Sequence, residues 1–364
     1  MRPGYGRIDK ILLLTVVLIS VLSVFFLYSA TYVRGGETED INPIVIRQIL
    51  WIILGFIIML FIANMDYIRV LDFAYFAYAL NLILLLFLLI FGGERYGAKR
   101  WIDLGFFSLQ PSEFVKITAI FALAAFLGGR REKTGALDNF IYSIFLIMPA
   151  FLLIFLQPDL GTALVLVPIL FSILFVCGEN IKYVITTMVM GLLSMPIFWN
   201  ILKDYQKSRL MVFINPDIDP LGAGYTIIQS KIAIGSGGLL GKGWLNGTQS
   251  HLKFLPERHT DFIFSVIGEE WGFMGALALL ALYALLIGRG IRIISGVDDI
   301  YGKAITTGFV TLLSFQILVN IAMTIGLMPV VGLPLPLISY GGSNIVATMI
   351  GAGFLLSASR HRKR

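Results

Sequence analysis

Charge is scarce in this chain. Asp, Glu, Lys and Arg make up 14% of its 364 residues, against about 25% in a soluble globular domain. A chain this long with so little charge cannot cover a water-facing surface, which excludes a soluble enzyme and a disordered segment alike. Cysteine is nearly absent. Cys177 stands alone, so neither an intramolecular disulfide nor a thiolate cluster for zinc or iron–sulfur can form. The three histidines, His251, His259 and His361, are too few and too scattered for a His-based metal site. What fills the chain instead is apolar: 57% of residues are hydrophobic and mean hydropathy is +0.86. The net charge is +6, and where the positive charges sit matters more than their sum.

A bilayer crossing needs about 20 predominantly apolar residues, within about 17–25. Ten such runs are present, at 10–31, 48–64, 72–91, 111–128, 140–156, 161–177, 182–201, 263–288, 303–327 and 338–358. In hydrocarbon only helices and closed barrels satisfy every backbone N–H and C=O. Unbroken apolar runs exclude the alternating pattern of a barrel. The expected fold is therefore all-α, a single polytopic membrane helical bundle over 1–364. The basic start (Arg2, Arg7, Lys10) resembles a signal peptide, but the run from Ile11 to Leu27 exceeds the usual apolar region of about 7–15 residues and reads as an uncleaved first span.

Lysine and arginine in short loops set orientation. With the N-terminus in the cytoplasm, the inner side carries fifteen: Arg2, Arg7, Lys10, Arg69, Arg130, Arg131, Lys133, Lys182, Arg289, Arg292, Lys303, Arg360, Arg362, Lys363 and Arg364. The short outer loops carry five: Arg34, Arg47, Arg95, Lys99 and Arg100. Ten spans return the C-terminus to the cytoplasm, where the tail Arg360-His-Arg-Lys-Arg364 reads as a topology anchor rather than a nucleic-acid patch. One external loop between spans seven and eight, 202–262, is long, not apolar and holds seven basic residues; loops of this length are commonly functional. A second external loop, 92–110, contains Tyr96-Gly-Ala-Lys-Arg-Trp101. The cytoplasmic loops are too short for a nucleotide-binding domain. The run Gly235-Ser-Gly-Gly-Leu-Leu-Gly-Lys-Gly243 fails as a P-loop, because Ser236 stands where the first glycine belongs and Gly243 where Ser or Thr belongs. It reads as a turn-rich loop, or as bare amides that cradle a phosphate with Lys242. Asn246-Gly-Thr248 matches a glycosylation sequon weakly.

Ionisable groups within a span are costly and mark candidate sites. Glu113 and Lys116, three apart near the outer end of span four, share a helix face, as a structural ion pair, as the wall of an open cavity, or as both. Asp159, in Gln157-Pro-Asp-Leu-Gly161, suits an N-cap. Glu269 and Glu270 point about 100° apart on a helix, so at most one meets a given partner squarely. The densest polar run is Phe254-Leu-Pro-Glu-Arg-His-Thr-Asp-Phe-Ile-Phe264, where Asp261 is the last acid before span eight. It reads as a helix cap or as a general base. At a partly dry mouth its pKa would rise by desolvation, or fall beside protonated His259, Arg258 or Lys116.

These runs together resemble the SEDS family. The resemblance is carried by Asn215-Pro-Asp-Ile-Asp-Pro220, Gly224–Gly238, Gly241-Lys-Gly243, Leu255–Phe264, Gln110-Pro-Ser-Glu-Phe-Val-Lys116, Gln157–Gly161 and Leu335-Pro-Leu-Ile-Ser-Tyr-Gly-Gly-Ser343. The runs from Gln229 to Gly238 and from Gly241 to Gln249 resemble the elongation member rather than the division member. The resemblance implies a ten-span protein of the bacterial cytoplasmic membrane, with its active site facing outside. It implies a peptidoglycan glycosyltransferase that polymerises lipid II into a nascent glycan strand beside a class B penicillin-binding protein and other elongation-complex membrane proteins, with no nucleic-acid partner. The family's essential acid falls on Asp261, its cavity residues on Glu113, Lys116 and Asp159, and another activity-linked position on Trp101. Asn344 stands where the family often has a second serine. In the implied reaction Asp261 takes the proton of the attacking sugar hydroxyl. Arg209, Lys231, Lys242, Arg100 or a divalent cation (Mg or Mn) neutralises the departing pyrophosphate. Two rival readings use the same features: a lipid II flippase, and a non-enzymatic scaffold for a transpeptidase.

Overall fold

The computed structural model describes residues 8–32, 42–93, 100–103, 105, 108–130, 136–194, 196, 199, 200, 202, 204–222, 224–252 and 254–361. Arg2, Arg7, Arg34, Arg95, Tyr96, Lys99, Arg131, Lys133 and the tail from Arg362 lie outside the described residues. Along the chain run α1 (Lys10–Thr31), α2 (Pro43–Ala63), the short α3 (Tyr67–Leu71), α4 (Ala74–Phe91), a two-stranded hairpin β1 (Ile102–Asp103) and β2 (Ser108–Leu109), α5 (Pro111–Arg130), α6 (Ala136–Leu156), α7 (Leu160–Val176) and α8 (Ile181–Leu193). There follow α9 (Asp204–Ile214), a 3₁₀ turn (Pro216–Ile218), α10 (Tyr225–Gly237), α11 (Thr248–His251), α12 (Ile263–Gly296), α13 (Ile300–Thr324) and α14 (Gly342–Arg360). Eight of these, α1, α2, α4, α5, α6 (from Leu137), α12, α13 and α14, are long and apolar enough to cross a membrane. The shorter apolar helices α7 and α8 coincide with the sixth and seventh expected spans. The protein is a multi-pass helical membrane protein.

Capping residues in the sequence set several of the helix starts. Asp9, Asn42, Asp66, Asp159 and Asp299 each accept a backbone N–H of the first turn, and Pro43 sits at the start of α2, where its missing N–H costs nothing. Burial sorts the helices into layers. α14, α13 and α5 are 89%, 72% and 67% buried along their apolar windows, whereas α2, α4 and α12 are 22% buried. The outer helices present Phe61, Phe76, Ile83 and Phe91 outward, as a lipid-facing surface requires. The central three carry the polar groups, because a helix surrounded by protein need not be apolar all round.

Two ties fix the ends of the bundle. Asp9 pairs with Arg289 at 2.5 Å and its amide donates to Ser359 Oγ at 3.2 Å, so the start of α1 and the end of α14 lie at one face. At the far end of α1, Ser29 Oγ donates to the Glu270 carboxylate at 2.6 Å. The helical rise of about 1.5 Å per residue separates Asp9 from Ser29 by about 30 Å, the thickness of a bilayer core.

Several boundaries differ from expectation. The last span begins at Gly342 rather than at 338, because 335–341 is a loop with Leu337 at φ 65° and Gly341 at φ 158°. α12 extends to Gly296. It is also broken: Gly272 sits at φ 62°, ψ −161°, where a Cβ would lie 2.3 Å from Gly241 N. At the break the segment 238–243 lies alongside α12 like a strand. Lys242 N and Gly243 N donate to Glu269 O and Glu270 O, and Phe273 N and Met274 N donate to Gly238 O and Leu239 O. Backbone groups freed by the break thus find partners, as a bilayer environment demands.

Candidate active site

Asp261 ends a tight turn in which Thr260 N and Phe262 N both donate to Glu257 O. It does not cap α12; Phe262 holds the N-cap position and no side chain caps there. Its carboxylate is therefore left for other use, and no described residue donates a hydrogen bond to it. The loop between α13 and α14 forms the facing wall, with Gly332 so close that a Cβ there would lie 3.5 Å from Asp261 Oδ2. Arg209 of α9 is exposed and its Nη1 donates to Val330 O of the same loop at 3.1 Å.

The Asp261 side chain keeps some exposure, yet protein crowds it. Burial, then the negative charges of Glu257 and Asp159, push its carboxyl up to about 6, while Arg209 and Arg100 pull the other way. His259 is held neutral-leaning: burial lowers its pKa, Glu257 opposing and Arg258 adding to the effect. Protonated His259 is thus not what tunes Asp261.

Arg100 reaches the site from the start of the hairpin. Its guanidinium bonds Gln157 O at 3.2 Å and Pro158 O, and lies 3.7 Å from Asp159 Oδ1. Asp159 is buried, caps α7 by accepting Thr162 N at 3.2 Å and accepts Gln110 Nε2 at 3.4 Å. The N-cap expected of it is present. Trp101, partly buried, follows Arg100 into the hairpin, which docks on α14 through Gln110 N to Ser343 Oγ at 3.0 Å.

Glu113 and Lys116 lie deeper, sealed inside the bundle. Lys116 Nζ meets Glu113 Oε1 at 2.8 Å and Asn344 Nδ2 donates to Glu113 Oε2 at 3.0 Å. Both charged residues are about 2% exposed or less, so in this structure they form an internal ion pair and not an open wall. Asn344, the departure from the family pattern, completes that pair.

The four cations named for the leaving group separate. Arg209 and Arg100 act on Asp261. Lys231 is exposed and lies over Gly326 at the end of α13. Lys242 bonds Glu269 Oε1 at 2.7 Å and Thr248 Oγ1 at 2.8 Å. Glu269 also accepts Thr248 N and Gln249 N at 2.8 and 3.0 Å, while Glu270 takes Ser29, so the adjacent acids do serve different partners. Lys242 accordingly belongs to a lock between the 238–251 segment and α12. Hydrogen bonds to a charged group contribute about 1.5–3 kcal/mol each. Glu269→Gln is therefore expected to speed hydrogen exchange at the Thr248 and Gln249 amides by about tenfold or more, read by mass spectrometry; unchanged exchange there would remove the lock.

Among the described residues no group of three His, Cys, Asp or Glu is placed to hold a metal ion. An apolar groove of about 110 Å³ opens between α2, α5 and α14, lined by Trp51, Leu54, Leu109, Phe114, Gly342, Ser343 and Val346; Asp261 does not line it. Sequence reasoning missed Asn320 and Ser339, both buried and both bonded to the Asp261 turn. Asn320 carried a signal, as an amide inside an otherwise apolar span.

These features define a multi-pass helical membrane protein with a carboxylate-centred polar site at the face of the bundle opposite its termini. The chain belongs to the FtsW/RodA/SpoVE family of cell cycle proteins, whose profile matches residues 9–364. It is 43% identical to the peptidoglycan glycosyltransferase MrdB of Escherichia coli K12 over 344 residues, 94% of this chain and 92% of that one. Identity is 34% with the peptidoglycan glycosyltransferase RodA of Treponema pallidum, covering 97% and 98%. Among solved structures, a chain of a peptidoglycan synthase complex matches with TM-score 0.81 at 35% identity, covering 97% of this chain and 98% of that one. The rod shape determining protein RodA of Thermus thermophilus matches with TM-score 0.73 at 32% identity, covering 98% of each.

Proposed function

We propose that this protein is a peptidoglycan glycosyltransferase that polymerises lipid II during cell elongation, with Asp261 as general base. The observation that carries the assignment of the base is the Asp261 carboxylate, unbonded by described residues, poised near neutrality and flanked by Arg209 and Arg100. In the reaction the 4-hydroxyl oxygen of the acceptor GlcNAc attacks the anomeric carbon of the donor MurNAc. The C1–O bond to pyrophosphate breaks, undecaprenyl pyrophosphate leaves with the bonding pair, and the hydroxyl proton passes to Asp261. Arg209 and Arg100 offset the charge that grows on the leaving pyrophosphate.

The loop face is assigned to the outside of the cytoplasmic membrane by the lysine and arginine bias, with both termini in the cytoplasm. A class B penicillin-binding protein is the partner this reading assigns, since the TM-score 0.81 relative comes from a complex that coordinates polymerization and crosslinking. The reading is tested by incubating the purified protein with lipid II in detergent, with and without the transpeptidase, and resolving glycan chains on a gel. Polymer formed with no bilayer present excludes pure transport and a passive scaffold. No polymer under either condition would overturn the reading.

The base also sets a pH dependence. A carboxyl raised to about 6 is the competent carboxylate only above that value. Polymerisation is expected to fall about tenfold per unit below pH 6 and to level off above it. Initial rates across pH 4.5–8 check this; an acid limb near the ordinary aspartate value of about 3.9 would contradict the environment described.

A further inference from the structure

Three hydrogen bonds grip the peptides around Asp261, two from the loop before α14 and one from α13. His259 O accepts the Tyr340 amide at 2.9 Å. Thr260 O accepts Ser339 Oγ at 2.5 Å. Asp261 O accepts Asn320 Nδ2 at 2.9 Å. The last two matter most, because Thr260 C=O belongs to the peptide that precedes the Asp261 Cα and Asp261 C=O to the peptide that follows it. With both planes held, the direction of the Cα–Cβ bond is set.

The same two side chains also tie down the facing loop. Asn320 Nδ2 donates a second bond to Leu333 O at 2.7 Å, next to Gly332. Ser339 Oγ accepts Leu335 N at 2.8 Å. One amide and one hydroxyl thus connect the turn that bears the carboxylate to the wall opposite it. Asn320 and Ser339 are fully buried. Buried amides and hydroxyls are costly unless bonded, and an apolar residue at either position would suit the surrounding core.

We propose that Asn320 and Ser339 are positioning residues for the glycosyl transfer, holding the Asp261 side chain and the Gly332 wall in a fixed relation. The inference rests on the reading of Asp261 as the base. Misplacement of a reacting group by about 1 Å costs about 10²-fold in rate, and this geometry guards against such a displacement.

The test uses the purified full-length protein in the lipid II polymerisation assay with four variants, Asn320→Leu, Ser339→Ala, Ser339→Thr and Asp261→Asn, each checked for monodisperse elution and melting temperature. Asn320→Leu is expected to lower kcat by about 10²-fold and Ser339→Ala by about tenfold, with KM within about twofold of the parent. The acid limb is expected to move from about 6 toward the ordinary carboxylate range, since a loosened turn admits water. Ser339→Thr keeps the hydroxyl and is expected to recover most of kcat. A loss confined to KM, an unmoved acid limb, or equal loss in Ser339→Ala and Ser339→Thr would reduce both residues to packing. If Asn320→Leu does not fold, the Ser339 pair decides. An inactive Asp261→Asn beside fully active Asn320→Leu and Ser339→Ala overturns the positioning role alone. A fully active Asp261→Asn overturns the base reading beneath it.

Discussion

Asp261→Asn is expected to lower the initial rate of lipid II polymerisation by about 10²–10⁴-fold, the range of a general base, while leaving the protein folded. The substitution keeps the size and shape of the side chain and removes only its basicity. The carboxylate accepts no hydrogen bond from described residues and does not cap α12, so no bond to a described residue is lost. Its pKa is raised by burial and by Glu257 and Asp159, which means the charged form is held at a cost near neutral pH. A neutral amide relieves that cost, and the melting temperature of Asp261→Asn is expected to equal or exceed that of the parent. A dead variant that also unfolds early would not support the assignment. A folded variant with near-normal glycan synthesis would end it.

The second large effect concerns stability. Glu113 and Lys116 form an ion pair that is 2% and 1% exposed. Removing one partner of such a pair strands a charge in a dry interior and costs about 3–5 kcal/mol, whereas replacing both with apolar residues of similar volume is often close to neutral. Lys116→Met alone and Glu113→Leu alone are each expected to melt far below the parent in detergent. The double variant is expected to recover most of the loss. Recovery stays incomplete because Asn344 Nδ2 gives up its acceptor on Glu113. Additive losses in the double-mutant cycle would show that the two charges act separately.

The apolar runs made the bundle legible in the sequence, since hydrocarbon dictates helix and length together. Asp159 as a cap was legible because Pro158 stops the preceding helix beside it. Asp261 was not decidable in the same way. An aspartate at the mouth of a helix serves a cap and a base with the same residue at the same position, and only the placement of Phe262 at the N-cap separates them. Lys242 misleads for a related reason. A lysine among glycines suits an anion, but its partner is Glu269, 27 residues along the chain. The break at Gly272 depends on a strand-like segment from the loop, and a single glycine in an apolar run does not announce it. Asn320 was visible as a polar residue in a span, but its target, a carbonyl 59 residues away, was not.

The most buried of the candidate spans comes after all the other described helices in chain order. α14 is 89% buried, and it supplies Asn344 to Glu113 and Ser359 to the Asp9 amide. Until residues 342–360 are inserted, Glu113 lacks the Asn344 donor and the faces of α2, α5 and α13 that pack on α14 stay uncovered. A stop codon ahead of Gly342 therefore removes a central helix rather than a tail, and leaves the apolar faces that α14 covers open to membrane proteases.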